Sequence, residues 1–350
     1  MSDGISVEEL QLAARNHGMP LEALRHGITP LGLHYLLVHY DIPIVDPGNW
    51  HLVVEGHVDR PLALTLDDVE RRPSLTTPVT MECAGNGRAR LDPRPISQPW
   101  LLEAVGNAAW TGISLRALLE SAGVQDGAVE VLFTGLDRGV EGGVEQTYER
   151  SLPLDVAMAD EVMLAHGVNG VPLPPQHGFP LRLLVPGWYG MASVKWLTRI
   201  TVLDTPFEGY QNSTAYRWRT DPDEPGEPVS RIEPRALMAP PGIPDFMSRK
   251  RFADAGPQTV VGRAWSGWGA IEAVEFSADA GATWKPAQLG VPAGPHSWTP
   301  WQAEWDAEPG EHVLCCRASD ASGRAQPDAP PWNVGGYANT DVQRVPVTVR

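Results

Sequence analysis

Cys83 is the residue with the clearest capacity for chemistry, and it stands in the segment Met81-Glu82-Cys83-Ala84-Gly85-Asn86-Gly87-Arg88. Two glycines and an asparagine follow the thiol, so the backbone can take unusual angles and a bulky group can approach closely. Arg88 and Arg90 bring positive charge, which favours the thiolate. Such a thiolate could be a nucleophile or a soft metal ligand, and an inert buried cysteine is the third interpretation that these residues leave open.

A second group of polar residues flanks a glycine-rich turn. His177 and Arg182 precede the segment Val185-Pro186-Gly187-Trp188-Tyr189-Gly190, and Lys195 follows it. Backbone amides together with these side chains could hold a phosphorylated cofactor, although surface histidines and basic residues are common in any protein. The sequence contains no zinc-type or calcium-type spacing and no glycine-rich dinucleotide fingerprint that leads into a helix.

Composition limits the classes of protein to be considered. The 350 residues carry a net charge of −16, which argues against nucleic acid or an anionic membrane as the partner. Cys315 and Cys316 are adjacent, so the three cysteines give no disulfide framework. The N-terminus has no signal features, and no apolar run approaches the ~20 residues that span a bilayer. We therefore predict a cytoplasmic protein; a periplasmic protein whose signal had been removed would give the same pattern.

Strands and helices alternate over the first two thirds of the chain. Residues 1–35 are predicted to form a helical N-terminal cap. A further helix is predicted over 115–122, because apolar residues share one face between an N-cap at Ser114 and a C-terminal glycine at Gly123. Strands are predicted at residues 50–55, 78–82, 129–133, 181–185 and 194–203. Together these elements predict an α+β domain over residues 36–228.

The last third of the chain follows a different pattern. Residues 219–245 are rich in Pro, Gly, Asp and Glu and are predicted to be a linker. Beyond them, polar and apolar residues alternate at 270–277, 312–318 and 345–349, with a turn at Asp279-Ala280-Gly281. Short strands separated by turns every ~10 residues predict an all-β, immunoglobulin-like sandwich over residues 229–350.

Taken together, the motifs at Cys83 and around the glycine-rich turn resemble those of the sulfite oxidase family of molybdenum enzymes. The segments that carry this resemblance are Glu82-Cys83-Ala84-Gly85-Asn86, His177-Gly178-Phe179-Pro180, Val185-Pro186-Gly187 and Val194-Lys195-Trp196-Leu197. Near the C-terminus, the segments that resemble the family's dimerisation domain are residues 279–284, Cys316-Arg317-Ala318, Gln326-Pro327-Asp328 and Trp332-Asn333. The similarity covers residues 36–350 in order, and the motifs are specific jointly rather than singly.

The resemblance implies a fold, a cofactor and an assembly. Residues 36–228 would form the mixed sulfite-oxidase-type domain that buries one molybdopterin, and residues 230–350 would join two chains into a homodimer. Cys83 would give the single protein thiolate to molybdenum, with tungsten left open as the alternative metal. The residues that would hold the pterin and its phosphate are His39, Asp137, His177, Arg182 and Lys195.

The resemblance also implies a substrate pocket and a reaction. Tyr216 would be the active-site tyrosine, Arg88 would face a small anionic or oxo substrate, and Trp100 would line the same pocket. The implied activity is oxygen-atom transfer, with the oxidation of sulfite to sulfate as the default reaction. The sequence has no haem motif, so we expect electrons to pass to a separate electron-transfer protein.

Two positions depart from the sulfite-oxidising pattern. Leu37 and Gly335 stand where the resemblance would place arginines. A charge-assisted hydrogen bond contributes roughly 1.5–3 kcal/mol. Losing two would cost about 3–6 kcal/mol, on the order of 10²–10⁴ in affinity for an anion. Arg217 and Arg219, just after Tyr216, could compensate for that loss.

Alternatives to sulfite oxidation therefore stay open. The same cofactor could reduce a neutral S-oxide or N-oxide, a reaction that Leu37 and Gly335 would suit. A non-catalytic module that kept the fold and lost the metal belongs to a different class of protein. Its mark would be the loss of Cys83 or of the basic pterin-binding residues, and all of these are present.

Overall fold

The computed structural model describes residues 4–350, so residues 1–3 of the predicted N-terminal cap lie outside the described residues. The α-helices are α1 (Val7–Arg15), α2 (Leu66–Glu70), α3 (Leu115–Ala122), α4 (Leu154–Ala157) and α5 (Tyr210–Ser213). Short 3-10 turns lie at Leu21–Arg25, Leu31–Leu33, Arg88–Arg90, Pro175–His177 and Gly190–Ala192.

Only part of the predicted helical cap is α-helical. α1 begins with a capping box in which the Ser6 side chain accepts a hydrogen bond from the backbone N–H of Glu9. After α1, Pro20 and Pro30 each precede a single 3-10 turn rather than a longer helix. Proline lacks an N–H group and disfavours the helical conformation in the residue before it, which explains why the predicted helix does not continue.

The strands of the α+β part are short and mostly antiparallel. In chain order they are β1 (His51–Gly56), β2 (Leu62–Thr65), β3 (Ser74–Glu82), β4 (Val105–Ser114), β5 (Glu130–Glu141), β6 (Val144–Pro153), β7 (Met163–Val168), β8 (Val171–Pro172), β9 (Arg182–Leu184), β10 (Leu197–Leu203), β11 (Arg217–Trp218) and β12 (Glu227–Pro228).

Two sheets and one helix enclose the core of this part. The first sheet has the order β2-β1-β10-β5-β6, in which β1 and β10 are parallel. The second has the order β3-β4-β7-β8, with β9 paired to β7. Leu52, Phe133 and Ile200 of the first sheet pack in one cluster with Leu118 of α3 and Leu183 of β9. The cluster buries these apolar side chains almost completely, which stabilises the layered arrangement.

The prediction of helix α3 is confirmed, whereas strand β10 begins later in the chain than predicted. Ser114 caps α3 by accepting from the N–H of Ala117, and Gly123 ends it with φ at 73°. The strand predicted from residue 194 starts only at Leu197. Trp196 has φ at 49°, and its indole N–H donates to the Pro175 carbonyl at 2.7 Å. The chain therefore turns at Trp196, which interrupts the alternation on which the prediction depended.

The remaining strands form the C-terminal part. In chain order they are β13 (Arg235–Met238), β14 (Ile243–Pro244), β15 (Arg251–Ala253), β16 (Gly256–Trp265), β17 (Ile271–Ser277), β18 (Lys285–Pro286), β19 (Gln288–Leu289), β20 (Thr299–Ala307), β21 (Gly310–Asp320) and β22 (Gln343–Val349).

Two sheets pack face to face in the C-terminal part. Their orders are β13-β16-β20-β19 and β14-β15-β22-β21-β17-β18. Trp301 and Trp305 of β20 meet Leu314 of β21 and Val347 of β22 in one core, as expected for alternating strands with one buried face. An α+β domain followed by an all-β sandwich is therefore confirmed, and the boundary between residues 228 and 229 stays a prediction.

The predicted linker is partly wrong. Residues 219–245 contain β12, β13 and β14, and β13 is buried along its whole length. A strand of four residues is too short to display a periodicity, and it opens with a charged residue, Arg235. β13 pairs with β16 and so belongs to the sandwich.

A separate apolar cluster joins the two parts of the chain. Met19 of the cap and Ala84 of the cysteine loop pack there with Leu237, Trp265 and Trp298 of the sandwich. One backbone bridge pairs Val79 of β3 with His296. The end of β3, which leads into Cys83, is thus held against the sandwich.

Candidate functional site

One cavity collects nearly all of the predicted site residues. It lies where the end of β3 and the interior of β5 meet the turns around β9, and its space, including the open mouth, is about 610 Å³. The predicted residues that line it are His39, Cys83, Asp137, His177, Arg182, Lys195 and Tyr216. Arg88 and Trp100 do not line the cavity, and both instead lie beside Cys83.

Cys83 follows the last residue of β3 and is held in place through its backbone. Its N–H donates to the Ala104 carbonyl at 2.9 Å, and its side chain is almost fully buried. Burial raises the pKa of the Cys83 thiol, although the nearby Arg88 charge and the Gly85 backbone act in the opposite direction. The thiol is therefore protonated at neutral pH unless a metal ion displaces the proton.

Arg88 folds back over the cysteine loop. A Cβ atom at Gly85 would lie 2.6 Å from the Arg88 guanidinium, so a larger residue there would displace the guanidinium from its present position. Arg88 donates to the carbonyls of Gly335 at 2.8 Å and Gln98 at 3.2 Å. Its positive charge is thereby fixed beside Cys83.

Trp100 completes the surroundings of the thiol. Its indole N–H has no acceptor of standard geometry, yet it lies close enough to Cys83 to lower the pKa of the thiol. We treat this contact as a weak dipole interaction and not as a formed hydrogen bond, because its geometry does not meet the usual criteria. The indole N–H is a buried donor that a ligand at Cys83 could satisfy.

Two cations form one wall of the cavity. Arg182 donates to the carbonyls of His177 and Ser193, each at 3.1 Å, and burial lowers its pKa to about 10. Lys195 donates to the Leu37 carbonyl at 2.7 Å. The exposed part of Lys195 faces the cavity while protein surrounds the rest, so desolvation lowers its pKa to about 7. Because burial disfavours the charged form of both side chains, an anion bound in the cavity would stabilise their positive charges.

Asp137 gives only partial compensation. Burial raises its pKa to about 6, with Lys195 acting in the opposite direction, and its Oδ1 atom has no hydrogen-bond partner. The histidines of the cavity are neutral at pH 7 for the same reason. Burial lowers the pKa of His39 to about 3 and that of His177 to about 2.

Tyr216 is held in an unusual backbone conformation. Its φ angle is 47°, in the left-handed region, where non-glycine residues are strained and occur preferentially at functional sites. Its hydroxyl lies 2.5 Å from Nε2 of His39, and its ring lies between the Tyr337 ring and the Arg150 guanidinium, each 5.2 Å away. Burial raises its pKa well above 10, so the hydroxyl stays protonated at neutral pH.

Several residues of the site were missed from the sequence. His34, Tyr35 and Tyr148 line the cavity, and Arg150 lies behind Tyr216. Neither His34 nor Tyr35 stands in a recognisable motif. Tyr148 and Arg150 are two residues apart on β6 and share its buried face, so strand alternation was the available signal.

The other arginines considered from the sequence serve different roles. Arg217 and Arg219 donate to carbonyls of the 224–226 turn and do not line the cavity, so they do not replace the two missing arginines. Arg90 forms an ion pair with Asp341 at 2.8 Å, and it is therefore Arg88 that supplies the charge nearest the thiol. The expectation that both Arg88 and Arg90 act on Cys83 is thus wrong for Arg90.

The residues present fit a molybdopterin. His34 donates from Nδ1 to the Tyr35 carbonyl, which leaves its Nε2 a buried acceptor without a donor. The unsatisfied atoms of Asp137 and Trp100 add an acceptor and a donor, and Arg182 and Lys195 add charge for a phosphate. Among residues 4–350, no group of three or more His, Cys, Asp or Glu side chains is placed to hold a metal ion. A metal at Cys83 would therefore take its other ligands from a cofactor.

Two family models match the chain in this order. Residues 39–211 match the oxidoreductase molybdopterin binding domain, and residues 244–350 match the Mo-co oxidoreductase dimerisation domain. The fold, the site and these matches define the chain as a molybdenum-dependent oxidoreductase that uses a molybdopterin cofactor.

Proteins of known name that are similar to this chain identify its family within the molybdenum-dependent oxidoreductases. Sulfite oxidase of Gallus gallus is 34% identical over 336 residues, covering 89% of this chain and 71% of that protein. Mitochondrial sulfite oxidase of Mus musculus is 33% identical over 94% of this chain, and NADH nitrate reductase of Solanum lycopersicum 32% identical over 95%. The chain spans 63% of the mouse protein and 40% of the tomato protein. The chain belongs to the sulfite oxidase family.

A solved structure supports the same assignment. Sulfane dehydrogenase SoxCD from Paracoccus pantotrophus superimposes with a TM-score of 0.82 at 28% identity, covering 95% of this chain and 86% of that chain. Among the described residues, no helix is long and apolar enough to cross a membrane.

Buried neutral histidines make stability depend on pH. Burial lowers the pKa of His34 to about 4, whereas an unfolded histidine titrates near ~6.5. Below pH ~6.5 the unfolded chain binds protons that the folded chain does not, so stability is complete above this pH and falls as the pH falls toward 4. We expect His34→Gln to make the slope of unfolding free energy against pH shallower by up to about 1.4 kcal/mol per pH unit.

Chemical denaturation of cofactor-free protein at several pH values between 4.5 and 7 measures this slope. Leu118→Ala is the control, because it removes a neutral side chain from the core and should lower stability equally at every pH. A His34→Gln curve parallel to that of the wild type would contradict the assignment.

Proposed function

We propose that the chain oxidises sulfite to sulfate and passes two electrons to a separate electron-transfer protein. Cys83 is the metal ligand in this proposal. His39, Asp137, His177, Arg182 and Lys195 hold the pterin and its phosphate. Tyr216 faces the substrate from the cavity lining, and Arg88 and Trp100 act on the substrate from beside Cys83. The observation that carries the proposal is the buried Cys83 thiol, which lines one cavity with Arg182 and Lys195 and lies beside the Arg88 guanidinium.

The division of charge among the residues supports these roles. Arg182 and Lys195 are the desolvated cations of the cavity wall and suit a phosphate, which a guanidinium and an ammonium bind through charge-assisted hydrogen bonds. Arg88 lies beside Cys83 and suits a small anion. When bound, the molybdenum cofactor supplies oxygen-atom transfer coupled to a two-electron redox change.

Tyr216 and His39 contribute hydrogen bonding without net charge. The tyrosine stays protonated and the histidine stays neutral at pH 7. The 2.5 Å hydrogen bond between them therefore joins two uncharged groups. The hydroxyl can therefore exchange His39 for a substrate oxygen without a proton leaving the site. Overall, sulfite and one water give sulfate, two protons and two electrons.

A second candidate is the reduction of a neutral S-oxide or N-oxide, and one observation favours it. A Cβ atom at Gly335 would lie 2.2 Å from the Tyr337 ring, so Tyr337 occupies the space that an arginine at this position would need. The Tyr337 ring also lies 5.2 Å from the Arg88 guanidinium. With Arg88 alone, the substrate side of the site carries less positive charge than it would with arginines at positions 37 and 335 as well. The names of the tomato and Paracoccus relatives specify nitrate and sulfane, which are substrates other than sulfite.

Substrate assays separate the two candidates. We expect molybdenum-loaded protein to oxidise sulfite with ferricyanide as the electron acceptor. Arg88→Met should raise KM for sulfite by about 10–100-fold, because one charge-assisted contact is lost. Arg90→Met is the matched control, since Arg90 pairs with Asp341. No turnover at millimolar sulfite, together with reduction of a sulfoxide by viologen dye, would establish the reductase instead.

Metal and pterin analysis tests the assignment of Cys83 and Lys195. We expect wild-type protein from a cofactor-competent host to contain molybdenum, with tungsten measured in parallel. Cys83→Ser should lose the thiolate-to-metal absorption band, and Lys195→Met should lower the pterin content. Cys315→Ser is the control because Cys315 is buried in β21 of the sandwich. Wild-type protein with neither metal would support the non-catalytic module.

The match to a dimerisation domain supports a homodimer through residues 230–350. Light scattering at micromolar concentration should give twice the 38.0 kDa mass of one chain. A mass of one chain under those conditions would refute the homodimer and leave the redox assignment untouched.

A further inference from the structure

A fully buried ion pair lies directly before the cysteine. Glu82, the last residue of β3, and Arg235, the first residue of β13, are 0% and 1% exposed, and their Oε1 and Nε atoms are 2.8 Å apart. The Arg235 Nε–H is not aimed at the carboxylate, so the contact is an ion pair and not a hydrogen bond. Replacing such a pair by apolar residues is often neutral or stabilising, so stability alone does not explain it.

The carboxylate of Glu82 organises the loop that follows it. Its Oε1 atom accepts from Nδ2 of Asn86 at 2.9 Å, and its Oε2 atom accepts from the Trp265 indole at 2.8 Å. Asn86 in turn accepts from the N–H of Ala104 at 3.1 Å. Because Ala104 also accepts from the N–H of Cys83, the thiol and the carboxylate belong to one hydrogen-bond network.

The C-terminal part of the chain holds the same loop at further points. Arg235 donates to the carbonyls of Asn86 and Asn339. Asn339 donates to the Gly87 carbonyl at 2.6 Å, and the N–H of Ala338 donates to the Ala84 carbonyl at 2.8 Å. Residues of the C-terminal part therefore hold the loop through hydrogen bonds to the backbone carbonyls of Ala84, Asn86 and Gly87.

We propose that Arg235, through Glu82 and Asn86, is a positioning residue that fixes the backbone of the Cys83 loop for metal binding. The C-terminal domain is then a structural part of the redox site in addition to its role in dimerisation. This inference rests on the proposed role of Cys83 as the metal ligand. Partners that orient a ligand typically change metal affinity or activity by about 10–100-fold when they are removed.

The first measurement uses cofactor-free protein and the reactivity of the thiol. Arg235→Met leaves the Glu82 carboxylate buried and unpaired, so the loop should open more often. We expect iodoacetamide to modify Cys83 at least about 10-fold faster, which corresponds to about 1.4 kcal/mol in the opening equilibrium. Mass spectrometry of the modified peptides measures the rate, with buried Cys315 and Cys316 as internal references.

The second measurement uses the loaded enzyme. For Arg235→Met we expect an altered thiolate-to-metal absorption band and a kcat for sulfite lowered by about 10–100-fold, with KM little changed. Trp265→Phe removes one hydrogen bond to Glu82 and keeps an aromatic ring in the buried cluster, so it should fold and show the same changes to a smaller degree. It provides the test if Arg235→Met does not fold.

Arg251→Met is the matched control. Arg251 is also buried in the sandwich and pairs with Glu22 of the cap at 3.1 Å, but it does not contact the cysteine loop. It should lower thermal stability while leaving the modification rate and the absorption band unchanged. A modification rate in Arg235→Met equal to that of wild type and Arg251→Met would overturn the proposal. If Arg235→Met does not fold, an unchanged rate in Trp265→Phe would overturn it. An absorption band that survives Cys83→Ser would instead refute the metal-ligand assignment, which the rates in cofactor-free protein do not depend on.

Discussion

Positive charge buried around a single thiol is the constraint on which this structure depends. Arg182 and Lys195 lie where burial lowers their pKa to about 10 and about 7. Burial raises the pKa of Asp137, a carboxylate that lines the same cavity, to about 6. Uncompensated charge in a protein interior is costly. The cavity is therefore arranged for an anionic ligand, and the strands and turns around it hold the charges in place before that ligand arrives.

The two parts of the chain divide this task. Strand β9 and the turns beside it carry the cations, while β3 leads directly into the thiol that lines the same cavity. The loop after β3 has internal hydrogen bonds, such as that from the Asn86 N–H to the Cys83 carbonyl at 2.9 Å, but its glycines permit many conformations. Hydrogen bonds from Ala338 and Asn339 restrict that loop, so the sandwich contributes directly to the geometry of the cavity. Both domains of the fold thus contribute residues that set the geometry of the cavity.

The sequence was informative where a residue's role shows in local pattern. Helix α3 was predicted with both caps, and the site residues that stand in motifs converge on one cavity. Residues whose roles arise from long-range contacts were not found. Arg150 meets Tyr216 only through tertiary packing, and the burial of β13 depends on β16 rather than on its own four residues. The turn at Trp196 was missed because its left-handed backbone depends on a hydrogen bond to Pro175.

We expect the smaller number of positive charges near Arg88 to affect substrate binding more directly than the rate of the chemical step. Contacts that are equally strong with substrate and transition state set KM and leave kcat unchanged. In the proposed function, an arginine at position 37 or 335 would make contacts of this kind, because it would attract a sulfur oxyanion before and during the reaction alike. Leu37 lines the cavity and the Tyr337 ring occupies the space beside Gly335, so neither position supplies such a contact. The thiol, the cations of the cavity wall and Tyr216, by contrast, are all retained. In the proposed function, the residues assigned to redox chemistry are therefore present, whereas fewer charged contacts are assigned to substrate binding.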